Sequence, residues 1–173
     1  SPLFETIFMS NPGTGLVLSE INYYPMQQIV GEDTLGSKNL EFIEIKNNSG
    51  AEFDISGYQL ERAVQYTFPL NTLIDIDSLV VVASDTAAFR KLYGFSAYGP
   101  FQGSLDNAGE TIRLNNAAGI PLCEVDYNNA GVWYTPADGS GYTLVYPNYN
   151  IPQPAGSKAY WRASTNWLGS PGK

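Results

Sequence analysis

The sequence predicts an all-β domain, a sandwich of two antiparallel sheets with one short helix, on three observations. Seventeen glycines and eleven prolines interrupt its 173 residues at short intervals, and twelve tyrosines and eight phenylalanines supply the aromatic residues that strands favour. Runs of four to seven residues with apolar side chains on alternate positions recur between clusters of turn residues. A single stretch carries helix start and stop signals.

The clearest stretch is Asn39 to Leu60. Glu41 to Lys46 reads as a strand, Asn47-Asn48-Ser49-Gly50 as a turn that tolerates positive φ, and Phe53 and Ile55 alternate with Asp54 and Ser56 before Gly57 breaks the pattern. Tyr58 and Leu60 open the next short strand. Ahead of this stretch, residues 1–15 combine Leu3, Phe4, Ile7 and Phe8 with the breakers Asn11 to Gly15 and read as an arm or linker. The domain spans 16–173. Leu16 to Asn22 is its first strand, closed before Pro25, and Gln27 to Lys38 is a loop or flexible hairpin.

Beyond Leu60, Tyr66 to Phe68 is a short strand stopped by Pro69, and Leu79 to Ala83 is a continuous apolar run expected to be covered on both faces. The helix follows. Asp85 is its N-cap, Phe89, Leu92 and Tyr93 share a face, Arg90 and Lys91 complement the C-terminal dipole, and Gly94 ends it; it is expected to lie across one end of a sheet. Thr111 to Leu114 and Leu122 to Tyr127 form a hairpin through Asn115 to Gly119, with Cys123 on the apolar face as a small core residue rather than a reactive thiol. Residues 128–173 are a loop-rich C-terminal part packed on the sandwich, with one more strand near Tyr142 to Tyr146 and Trp133, Trp161 and Trp167 as anchors. Short strands at this spacing describe an immunoglobulin-like sandwich, with a closed barrel as the structural alternative.

Nine basic and seventeen acidic residues give a formal net charge of −8, which repels a phosphate backbone, so nucleic acid is not expected as a partner. One cysteine excludes an internal disulfide, and no apolar run approaches the ~18 residues needed to cross a bilayer. Ser1 in place of an initiator methionine suggests a trimmed fragment whose targeting segment lies outside this chain. With no histidine, Ser-His-Asp, Cys-His and histidine-metal arrangements are all excluded.

Carboxylates are what remains for chemistry. Glu41 and Glu44 point to opposite faces of one strand and so make no ready acid/base pair, although Glu20 lies on a strand that could neighbour them. Glu44 shares its face with Phe42; if that face is inward, Glu44 needs a donor, and Arg62, Arg113 or Arg162 in a structural ion pair is the expected one. Calcium is the one metal that the oxygen-rich loops at Asp75 to Asp77, Asp106 to Glu110 and Asp126 to Asn129 could attract, though none has the spacing of a calcium loop, and no cofactor is expected. Trp133 and Tyr134 are the aromatic pair expected to be exposed and able to stack on a sugar or a partner side chain, while Trp161 is expected to be structural.

Several blocks together resemble one family. LVLSEINYYP at 16–25, EFIEIKNNSGAEFDISGYQL at 41–60, YTFP at 66–69, LVVVA with the helix end, GSLDNAGETIRLNNAAG at 103–119 and WRAST at 161–165 are similar to the lamin-tail domain in its bacterial form. The resemblance covers roughly residues 16–168. It implies an immunoglobulin-like sandwich, found at the end of nuclear intermediate filaments and, in bacteria, in secreted or cell-surface proteins, some of which also carry hydrolase domains. Tyr58 stands where many relatives have tryptophan, no heptads precede the domain, and the family has no common catalytic residues to transfer. The expectation is a non-enzymatic interaction or scaffolding module of a larger exported or cell-surface protein, with a protein or a cell-surface component as partner and weak self-association through strand edges. An accessory carbohydrate-binding domain is the alternative, and a hydrolase using carboxylates alone a third reading.

Overall fold

The computed structural model describes residues 15–130, 133, 135–149 and 160–173. The expected arm over residues 1–15 therefore lies, apart from Gly15, outside the described residues. The strands are β1 (Leu16–Asn22), β2 (Gln28–Val30), β3 (Asp33–Leu35), β4 (Phe42–Asn47), β5 (Phe53–Asp54), β6 (Gln59–Arg62), β7 (Val64–Thr67), β8 (Leu73–Ile74) and β9 (Leu79–Ala83). After the helix α1 (Thr86–Tyr93) come β10 (Gln102–Gly103), β11 (Gly109–Asn115), β12 (Pro121–Asn128), β13 (Leu144–Val145) and β14 (Arg162–Ala163).

These strands build a sandwich and not a closed barrel. One antiparallel sheet runs β14-β13-β1-β4-β9 and the other β10-β7-β6-β11-β12, with β2-β3 and β5-β8 as separate two-stranded ribbons. Leu16, Leu18, Ile21, Ile43, Ile45 and Val82 of the first sheet meet Leu60, Val64, Ile112, Leu114, Val125 and Tyr127 of the second in one buried cluster. Cys123 belongs to the same cluster, and burial pushes its thiol up to about 12, so it is packed and inert.

The turn after β4 does not fold back as a hairpin. β4 pairs with β1 and β9, whereas β5 pairs with β8 in a separate two-stranded ribbon. Asn47 directs this change: fully buried, it donates Nδ2 to the carbonyls of Ala51, Ile74 and Asp75 and accepts from the Ser49 amide and hydroxyl. An amide can serve three carbonyls and a turn at once only where all of them converge.

Helix α1 starts and stops where its residues dictate. Asp85 Oδ1 accepts from the amides of Ala87 and Ala88, and Gly94 adopts φ +83° with its N–H on the Arg90 carbonyl. The helix lies over the outer face of the first sheet rather than across a sheet end. Phe89 meets Phe42 edge-on at 5.8 Å, and both pack with Val81 and Ala83. This cover explains why β9 is apolar on both faces, as its sequence predicts. Its outer edge is also closed, because Tyr98 exchanges hydrogen bonds with Val81 and Ala83.

Replacing Asp85 with alanine removes both cap bonds and is expected to lower stability by about 1 kcal/mol, read as a shift in urea midpoint without a change in slope.

Candidate functional site

The outer face of β1 and β4 holds two buried acidic residues on facing strands. Along β1 the side chains of Leu16 and Leu18 enter the core, and strict alternation would send Glu20 and Asn22 after them. A register shift between Leu18 and Glu20 prevents this. The extra residue, Ser19, reverses the parity, so Ile21 and Tyr23 take the core side and Glu20 emerges on the opposite face, directly across from Glu44 of β4.

Both carboxyls are only 2% exposed. Glu44 Oε1 accepts from the Ser19 hydroxyl at 2.6 Å and Oε2 from the Gly172 amide at 2.7 Å. Glu20 Oε1 accepts from the Thr143 hydroxyl at 2.5 Å and the Ser170 amide at 2.9 Å, with the Ser170 hydroxyl 3.3 Å from Oε2. Residues 169–172 thus cross the pair and are tied to it by backbone. Gly169 is required there, since its φ is +80° and a Cβ would lie 2.1 Å from Glu20 Oε1.

Burial pushes the Glu44 carboxyl up to about 7, with the Ser19 and Gly172 bonds pulling it down and the neighbouring Glu20 charge adding to the rise. Glu20 is raised by the same desolvation. No arginine pairs with either among the described residues. Arg113 is engaged with Glu124, Arg62 ends β6 in the other sheet, and Arg162 is exposed on β14. The ion pair expected for Glu44 is replaced by neutral donors, which satisfy the buried carboxyl without the cost of burying a cation.

A cleft of about 170 Å³ opens beside the pair, lined by Glu20, Glu44, Tyr149, Arg162 and Lys173. Across residues 170–173 lies a second cleft of about 180 Å³, bounded by Tyr93, Phe95 and Pro171. Acid/base catalysis needs a carboxyl open to substrate, and these oxygens are already committed to structural donors. Glu41 is separate: 1% exposed, it accepts from the Leu105 amide at 2.8 Å and is pushed up to about 7, chiefly by burial. Glu41 and Glu44 therefore serve different segments, as their opposite faces predict.

The other sequence expectations fall out unevenly. Trp133, expected to be exposed, is 8% exposed and packed in the main core, because the irregular C-terminal part needs large side chains to hold it to the sandwich. Tyr134 lies outside the described residues. Trp161 is buried against Tyr146, and the more accessible indole is Trp167, 53% exposed. Several oxygens of the acidic loops are used locally: Asp106 accepts from the Ala108 amide and Glu110 from the Asp106 amide, while Asp126 accepts from the Thr111 hydroxyl across the β11–β12 pair. No group of three or more acidic or cysteine side chains with metal-binding geometry occurs among the described residues. Ser19, Thr143, Ser170 and Gly172 had no sequence signal beyond being small, polar or flexible.

Two measurements follow from these contacts. Glu41 and Glu44 bind protons in the folded chain up to about pH 7 but in the unfolded chain only to about 4.5. The folded state holds more protons in that window, so stability falls as pH rises through it, by up to about 1.4 kcal/mol per pH unit for each group. Urea midpoints should decline across the window and decline less steeply in a Glu41→Gln, Glu44→Gln variant, where Glu20 alone of the three keeps its raised carboxyl. Trp133→Ala should cost about 3–5 kcal/mol by cavity formation, read in the same titration.

Against known families, the model of the lamin tail domain matches residues 10–129. No curated protein matches the chain. The match takes in β1 to β12, including the Ser19 bulge, Glu20, Glu41 and Glu44, and ends before the segment that covers the pair. With the matched stretch spanning well over half of the sequence and a β-sandwich to go with it, the chain belongs to the lamin tail domain family.

Proposed function

We propose that the chain is a non-enzymatic interaction or scaffolding module of a larger exported or cell-surface protein, with a protein or a cell-surface component as its partner. The observation that carries this reading is the edge of the second sheet. There β12 runs for eight residues with β11 as its one strand partner among the described residues, and it alternates buried Cys123, Val125 and Tyr127 with Glu124 and Asp126. A long strand edge offers backbone groups to an added strand, and the two acidic side chains select against indiscriminate pairing. The buried, hydrogen-bonded state of Glu20, Glu41 and Glu44 supports a binding role over a catalytic one. The exported setting rests on the bacterial members that the sequence resembles. Among the described residues no helix is long and apolar enough to cross a membrane.

The carbohydrate-binding alternative loses Trp133 as an open aromatic platform. Sedimentation equilibrium over a wide concentration range tests the preferred reading. The mass of the parent should rise with concentration, and a Glu124→Lys, Asp126→Lys variant should shift that dependence because it inverts the charge of the edge. A mass that stays monomeric in both would remove self-pairing as the scaffolding mode. Turnover of a polysaccharide, abolished by one Glu or Asp substitution, would overturn the non-enzymatic reading.

A further inference from the structure

We propose that residues 164–173 form a proton-controlled strap, closed over the outer face of β1 and β4 while Glu20 and Glu44 carry protons and opening as the pair ionises. This goes beyond the interaction role and does not depend on it.

The hydrogen bonding of the closed strap accommodates neutral as well as ionised carboxyls, and what favours the neutral form is burial and, for Glu44, the facing Glu20 charge. Glu44 faces the Ser19 hydroxyl at 2.6 Å and the Gly172 amide, and Glu20 faces the Thr143 hydroxyl at 2.5 Å together with the amide and hydroxyl of Ser170. A hydroxyl can donate or accept, so a protonated Glu44 donates from Oε1 to the Ser19 hydroxyl and keeps Oε2 for the Gly172 amide, while a protonated Glu20 donates from Oε2 to the Ser170 hydroxyl and keeps Oε1 as acceptor for the Thr143 hydroxyl and the Ser170 amide. All partners stay satisfied. Ionisation leaves the donors in place but sets two negative charges on facing strand positions beneath a cover that excludes water.

The groups facing the pair offset those charges only in part, Lys46 drawing Glu44 down by less than burial raises it. Lys46 on β4 donates Nζ to the Asp77 carbonyl and lies over the Tyr149 ring, while Arg162 on β14 and Lys173 at the strap's end line the cleft without an ion pair to either acid among the described residues. Tyr93 of α1 and Tyr149 are themselves raised by burial and by the carboxylates, so neither supplies positive charge.

The strap is also built to lift. Leu168 adopts φ +67°, a left-handed conformation that strains a bulky side chain, and is held by its amide on the Gly141 carbonyl at 2.6 Å and by the Tyr93 hydroxyl on its own carbonyl at 2.9 Å. The clefts on both sides of residues 170–173 give water a short path to the pair once the strap rises. In the open state hydrated carboxyls return toward their ordinary 4.5, while in the closed state Glu44 stays near 7. Opening is therefore coupled to proton loss within that window, about tenfold per pH unit for Glu44 with Glu20 acting in the same direction, and levels off above it.

The test is amide hydrogen exchange of the full chain, followed by NMR from about pH 4.5 to about pH 8 and corrected for intrinsic rates. Protection of the Ser170 and Gly172 amides should fall about tenfold or more per unit up to about pH 7 and then level. In a Glu20→Gln, Glu44→Gln variant, whose amides reproduce the neutral hydrogen bonds, the fall should vanish; in Glu41→Gln it should persist. Flat strap protection in the parent, or an equal slope in the double variant, would overturn the proposal. Should the double variant not fold, the Gly172 amide shift of the parent decides: an inflection near pH 7 supports the strap, and its absence overturns it.

Discussion

One inserted residue sets the faces of the first sheet. Without the bulge at Ser19, the alternation that buries Leu16 and Leu18 would carry Glu20 and Asn22 into the sandwich core and expel Ile21 and Tyr23. A one-residue slip moves every later side chain to the other face, at a cost of several buried apolar groups and two unsatisfied polar ones. The bulge removes that conflict, and it leaves behind a hydroxyl aimed at Glu44 and a carboxyl facing it from the neighbouring strand.

The face so created cannot remain open, since it also carries Phe42, Val81 and Ala83. Two covers divide it by chemistry. Helix α1 brings Phe89 and Tyr93 to the apolar half, whereas the acidic half receives a glycine-rich backbone that presents amides and needs no side-chain volume. The family match ends at residue 129, so the helix belongs to the shared domain and the amides come from the segment that follows it. Neutral donors suffice because a carboxyl without full charge requires no counterion.

Local rules made most of the fold legible. Asp85 and Gly94 bracket the helix because capping is decided within a few residues, and the β11–β12 hairpin is written in the alternation of Ile112, Leu114, Cys123, Val125 and Tyr127 around a turn at Asn116 to Gly119. Glu44 was readable as the partner of Phe42 on one face, yet its donors were not, for they come from a bulge in another strand and from a glycine 128 residues away. Arginine is the partner that charge suggests; burial, which sequence spacing does not reveal, makes a serine and an amide sufficient. Trp133 misleads for a related reason: a tryptophan in an irregular stretch reads as exposed until the stretch is seen to close over the core.

Ser170 lies 150 residues after Glu20 and Gly172 lies 128 after Glu44. During synthesis at about 5–20 residues per second, the first acid waits roughly 8–30 s for its backbone partner to be made. Through that interval the sandwich strands are already present while the acidic face stands in water, its carboxyls charged and mutually repelling. A face in that condition is poor at sticking to another nascent chain. Its charge is reduced only once residues 169–172 have been made and cover it, so the growing domain carries its own electrostatic protection until then.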